Sequence, residues 1–159
     1  SRVAKLVEVC RRSRSPHVVR SCLIAIRHFQ GSQGYSFSLH AETVRLLPAV
    51  ERCMERDPDV IGCVMGWIES EIRALLPSRD YSMFHGLVIR ALGAEGLRSQ
   101  SVVNEAVDFI DFLLNEDAVF YLFNESTIGA LRNAIRQSRI DRTRRDRLLD
   151  RINREFGEG

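Results

Sequence analysis

Ser15-Pro16-His17-Val18-Val19, followed by Cys22, Ala25 and Ile26, is the stretch on which the fold turns. Ser15 is an N-cap acceptor, and Pro16 has the fixed φ of a first helical position. The apolar residues behind them recur at three- and four-residue spacing, one face of a helix. Forty-two residues later the pattern returns as Asp57-Pro58-Asp59-Val60-Ile61, then Val64, Trp67 and Ile68. Another forty-two residues give Ser99-Gln100-Ser101-Val102-Val103, then Ala106, Phe109 and Ile110. A last step gives Asp141, then Leu148, Leu149 and Ile152. Ser or Asp thus recurs at one register, and Ile26, Ile68, Ile110 and Ile152 at another, although Ile fills only eleven of the 159 positions.

A second amphipathic stretch precedes each cap. Val3, Leu6, Val7 and Cys10 lead into Ser15; Val44, Leu47, Val50, Cys53 and Met54 lead into Asp57. Met83, Phe84, Leu87, Val88 and Leu92 precede Ser99, and Ile128, Leu131 and Ile135 precede Asp141. Each unit therefore reads as a helix pair with a short connection. One such pair cannot bury its apolar faces alone, so neighbouring pairs are expected to stack. The expected fold is all-α, an α-solenoid of about four units with a period near 42 residues. The units span about residues 1–30, 38–76, 80–115 and 117–156 of a single domain, 1–159.

Composition agrees. The chain is 45% hydrophobic with a net charge of +2, which excludes a disordered chain. No apolar run approaches a membrane span, so no membrane partner is expected. Ten Gly and four Pro are too few for a turn-rich β-sandwich or barrel. Cys10, Cys22, Cys53 and Cys63 each sit on an apolar helical stripe without metal-ligand spacing. They read as buried, reduced thiols of a cytoplasmic or nuclear protein, with no metal and no cofactor.

The residues Leu6-Val7-Glu8-Val9-Cys10, Val18-Val19 and Cys22-Leu23-Ile24-Ala25-Ile26-Arg27-His28-Phe29 resemble the second and third helices of armadillo repeats, with HEAT repeats as the near neighbour. Cys22 stands at the family's small Ala, Ala25-Ile26 at its Ala-Leu and Phe29 at its Leu, while Val64, Ala106 and Leu148 fill the small slot later. The resemblance implies a right-handed solenoid and a protein-interaction scaffold whose last helices line a groove for a partner peptide or helix. It places the groove positions two before and two after the core Ile: Ile24 and His28, Gly66 and Ser70, Asp108 and Phe112, Asp150 and Arg154. The importin-alpha branch has Trp and Asn at these positions; this chain does not, so an import-signal receptor is not expected. Trp67 lies one position off that ladder and reads as core.

Gly62 and Gly66 share one helical face and imply close approach of a neighbouring helix or of a partner, since Gly inside a helix costs about 1 kcal/mol. Asn104, Asp108 and Asp111 form the adjacent polar stripe, a solvated face or an acidic groove for a basic peptide. Two departures from the repeat stand out. Gln30 to Ser38, with Tyr35 and Phe37, is the longest non-periodic stretch. Arg144-Arg145 replaces the paired aliphatic residues of earlier units, marking a polar C-terminal cap. The first helix has no such polar counterpart, so further repeats are expected before Ser1.

No catalytic motif occurs. His17, His28, His40 and His85 sit in no metal or triad pattern, and no phosphate-binding loop is present, so an enzyme is not expected. Charge is uneven: residues 1–30 carry net +6, residues 31–129 net −8 and residues 130–159 net +4. Arg142, Arg144, Arg145 and Arg147 at the basic end make nucleic-acid binding the alternative function. Asp141, Asp146 and Asp150 interleave with them at helical spacing, which favours intrahelical ion pairs, and no aromatic residue is placed to stack bases.

Overall fold

The structure is a computed structural model that describes residues 2–32, 34–57, 59–75, 81–93 and 97–157. Among them every regular element is helical. The chain divides into two compact bodies, Ser1–Ser78 and Arg79–Gly159. The N-terminal body holds α1 (Arg2–Arg12), α2 (Pro16–Gln30), α3 (Phe37–Val44), α4 (Leu47–Arg56) and α5 (Val60–Leu75). In the C-terminal body a 3-10 turn, Ser82–Phe84, runs into α6 (His85–Ala91). It is followed by α7 (Gln100–Asn115), α8 (Val119–Leu122), α9 (Ile128–Gln137) and α10 (Arg142–Phe156). The division falls between the second and third expected units.

The caps form at the expected register. Ser15 Oγ accepts from the Val18 N–H at 3.4 Å, Ser99 Oγ from Val102 at 3.3 Å and an Asp141 carboxylate oxygen from Arg144 at 3.2 Å. Each satisfies one of the donors that a helix start leaves open, for about 1 kcal/mol. Asp57 differs: it accepts from Asp59, two residues on, at 3.0 Å, and α5 begins at Val60. Pro58 lies outside the described residues.

In the N-terminal body α1 packs on α2 and α4 on α5, and the pairs meet first helix to first helix (α1 on α4) and second to second (α2 on α5). In the C-terminal body α9 packs on α10, α6 on α9, and α7 on α10. Ile26, Ile68 and Ile152 are fully buried and Ile110 is 1% exposed. Cys22, Val64, Ala106 and Leu148 at the small slot are buried too, as is Trp67. A short helix precedes the second pair of each body: α3 packs on α1, and α8 on the Ser82–Phe84 turn.

The non-periodic stretch before α3 is tied down by a residue that no sequence pattern marks. Glu71 of α5 is fully buried. Its carboxylate accepts hydrogen bonds from Tyr35 Oη and Thr43 Oγ1, and His40 Nδ1 lies 2.9 Å away. The Tyr35 and Thr43 hydroxyls are 3.2 Å apart, and Gln30 Nε2 donates to the Trp67 carbonyl at 3.5 Å. Burial, then the facing Glu71 charge, holds the Tyr35 phenol above its ordinary pKa, so it stays a donor. A buried carboxylate is tolerated only when surrounded in this way.

The four cysteines are free thiols; Cys10, Cys22 and Cys53 are buried and Cys63 is half-buried. Burial above all, and the adjacent Cys22 next, pushes the Cys10 thiol from 9.0 up to about 12. Burial raises Cys22 and Cys53 as well.

Three outcomes are expected. Ile68→Ala and Ile110→Ala each lower the unfolding free energy by about 2–5 kcal/mol in denaturant titration, because each leaves a cavity in a closed core. Glu71→Ala strands buried hydroxyls and costs about 3–5 kcal/mol, while Tyr35→Phe removes one donor and costs about 1–3 kcal/mol. The thiols supply a pH dependence. A folded pKa above the unfolded one stabilises fully below the unfolded value and loses that contribution as pH rises. Stability therefore falls between about 9 and about 12 in alkaline titration, and a Cys10→Ala variant falls less steeply there.

Candidate functional site

The expected groove residues of the N-terminal body come together on the exposed side of the α2–α5 contact. Ile24 is 46% exposed and His28 is exposed, while Gly62, Gly66 and Ser70 are half-buried on α5. Ile24, Arg27, His28 and Ser70 line one open depression. Arg27 is the member that the repeat ladder did not include. Its guanidinium lies against Gly66: a Cβ there would stand 2.6 Å from Arg27 Nη1 and 2.8 Å from Cζ. The close approach expected at Gly66 is thus made by a side chain of the preceding second helix, rather than by a backbone. The combination of an apolar residue with a cation and an imidazole suits a segment bearing apolar and acidic side chains.

The corresponding positions of the C-terminal body behave differently. Asn104 and Asp108 are exposed, but Phe112 is 5% exposed and belongs to the core beside Phe109 and Leu113. Phe112 is therefore corrected from a groove residue to a core residue. An aromatic ring gains far more from burial than from solvent, and the helix presents it inward.

The polar stripe of α7 is neither an open acidic groove nor a merely solvated face, because α10 takes most of it. Asn104 Oδ1 accepts from Arg144 Nη1 at 2.8 Å. Asp111 accepts both Arg147 amino groups at 3.2 Å and Arg151 Nη1 at 3.2 Å. Asn115 Oδ1 accepts from Arg151 Nη2 at 2.8 Å. Asp108 remains exposed.

The Arg-rich end is accordingly divided. Arg144 also pairs with Asp141, its i−3 neighbour, and Arg142 faces Asp146 at 3.8 Å. Those are the intrahelical pairs expected from spacing. Arg147 and Arg151 instead reach across to α7, and Arg145 Nη1 donates to the Arg136 carbonyl at 3.0 Å. Arg132 is buried and holds Asn153 Oδ1 at 3.0 Å and the Gly157 carbonyl. Asp150 and Arg154 lie exposed on α10. Position spacing could show the i,i+3 and i,i+4 partners, but a pair across two helices needs their register.

Among the described residues no group of three His, Cys, Asp or Glu side chains could hold a metal ion, and no helix is long and apolar enough to cross a membrane. No protein-family model matches the chain, and no curated protein or solved structure matches it either.

Proposed function

We propose that the chain is a protein-interaction module of the cytoplasm or nucleus, made of about four armadillo/HEAT-like helical repeats of a right-handed α-solenoid. It binds a partner peptide or helix along the groove of the second helices and carries out no catalysis. The observation that supports this reading is the depression lined by Ile24, Arg27, His28 and Ser70 on the exposed side of α2 and α5. Three of those four residues, Ile24, His28 and Ser70, stand at positions that the resemblance to armadillo repeats assigns to the groove. An exposed Ile beside fixed polar groups is the composition of a recognition surface, and the depression suits a partner helix with spaced anchors. The element order of the two bodies, two helices, a short helix and two helices in each, and their shared like-to-like helix packing support the repeat reading.

The nucleic-acid alternative at Arg142, Arg144, Arg145 and Arg147 draws less support. Three of those guanidiniums hydrogen-bond within their own body, to Asn104, the Arg136 carbonyl and Asp111. Phosphate would have to displace those partners.

Affinity capture with the chain and with an Ile24→Glu/Gly66→Arg variant tests the reading. Both changes sit on exposed or flexible-side-chain surroundings, so the melting temperature is expected to shift by only a few degrees. A defined set of proteins should be retained by the parent and lost by the variant. Identical captured sets, with the variant folded, would place any interface elsewhere.

A further inference from the structure

The two clusters of arginine in this chain are in different electrostatic states, and the one with fewer carboxylate partners lies in the N-terminal body. Helices α1 and α4 pack together and both end in arginine, at Arg12 and Arg56. Arg11, Arg12, Arg14, Arg52, Cys53, Glu55 and Arg56 line a cleft of about 610 Å³ there. Arg52 Nη2 donates to the Arg11 carbonyl at 3.5 Å, and Arg56 Nη1 donates to the Arg14 carbonyl at 2.9 Å. These bonds satisfy carbonyls around the end of α1 and hold two guanidiniums in place. Each bond uses one of the five N–H donors that a guanidinium carries.

Carboxylates do not neutralise the cleft. Glu8 is shared by Arg11 at 2.8 Å, Arg12 at 3.7 Å and Arg45 at 3.5 Å, while Asp57 faces Arg20 at 3.9 Å. Among the described residues no carboxylate lies within ion-pair distance of Arg14, Arg52 or Arg56. Glu55 is the one acid of the lining, against five arginines. Gathering like charges in a concavity raises the free energy of the empty site and lowers that of an anion within it.

We propose that this cleft binds a compact ligand carrying two or more phosphate groups. The fork of a guanidinium matches phosphate oxygens bidentately, and pre-fixed donors lose little freedom on binding. Several cations around one small cavity call for several negative charges close together. A long polyanion would instead need a basic track, and the neighbouring Glu8 and Asp57 interrupt one here. The shared chemistry is a clustered phosphate, whether free in solution or on a lipid headgroup. This site is separate from the α2–α5 depression and does not rest on the function proposed for it.

Inorganic tripolyphosphate, with inorganic phosphate and citrate as controls, is titrated calorimetrically against the whole chain at low and moderate salt. Among the described residues Arg14 makes no side-chain hydrogen bond or ion pair, so Arg12→Gln/Arg14→Gln keeps the fold while removing two cations. Arg142→Gln/Arg145→Gln removes the same charge from the other body. Tripolyphosphate is expected to bind more tightly than either control, to weaken about tenfold or more in the first variant, and to be unchanged in the second. Vesicles of phosphatidylcholine with a few per cent phosphatidylinositol bisphosphate separate the two sources. Sedimentation with them, competed by tripolyphosphate, assigns the headgroup; tripolyphosphate binding without sedimentation assigns a soluble ligand. No binding at low salt would overturn the proposal. So would equal weakening in both variants, or tighter binding of a single-stranded oligonucleotide that both variants lose, since either marks diffuse charge.

Discussion

A helix pair with apolar residues along both helices cannot close a core, and the rest of each body answers that constraint. The apolar stripe of α2 is covered by α5, and that of α7 by α10. Each second helix carries an apolar residue and an Ile at a fixed distance behind its cap, on the face that its body buries. Cys22 with Ile26, Val64 with Ile68, Ala106 with Ile110 and Leu148 with Ile152 are those residues, all buried. The cap fixes where the helix starts, and the start fixes which residues face inward. A capping acceptor at Ser15, Ser99 and Asp141 is thus part of the packing specification, although it contributes only about 1 kcal/mol by itself.

The last helix shows what happens when one side is left uncovered. Val19, Val60, Ile61 and Val103 are buried at the start of the earlier second helices. Arg144 and Arg145 replace such residues in α10 and are half-exposed. Their guanidiniums reach Asn104 and the Arg136 carbonyl, so the cations are held by polar groups of the same body. The face of α10 towards α7 adds Arg147 and Arg151, clasping Asp111 and Asn115. Each exposed pair is worth only about 0–1 kcal/mol, but the arrangement sets the register of α10 on α7 more narrowly than apolar contact could. In the N-terminal body Arg52 and Arg56 of α4 meet carbonyl oxygens in place of carboxylates, while Arg11 and Arg12 of α1 share Glu8. The helix ends are satisfied there and the positive charge is left over.

The period of Ile and of the caps was readable in the sequence because it is local physics repeated: a cap, a three-four spacing, a small residue. That made the helix pairs and the buried Ile ladder visible, while the placing of Ile24 and His28 on an open face came from the resemblance to armadillo repeats. Glu71 was not readable. A single Glu within a helix reads as a solvent position, and Tyr35, His40 and Thr43, which surround it, lie 28 to 36 residues earlier, in or just after the stretch with no period. Only the placing of Tyr35, His40 and Thr43 against α5 brings them together. Phe112 failed for a related reason. The groove rule counts positions from the core Ile, but a helix with Phe109, Ile110, Leu113 and Leu114 buried has an inward face wide enough to include the intervening ring. The cross-helix pairs of Arg147 and Arg151 with Asp111 depend on the register of two helices.

Gly66 links the packing to the proposed recognition surface. A glycine in the middle of α5 lowers helix stability by about 1 kcal/mol against alanine, with no turn or positive φ to require it. What its missing Cβ permits is the Arg27 guanidinium lying against the helix, within 2.6 Å of where that Cβ would be. Any side chain at position 66 would lift the cation away from α5 and change the floor of the depression. The burial of Ile26 and Ile68 beneath would remain, because Arg27 is the flexible, exposed partner of the contact. The local loss of helix propensity at Gly66 thus leaves the core untouched and seats one cation beside Ile24 and His28, on the face where the proposed recognition surface lies.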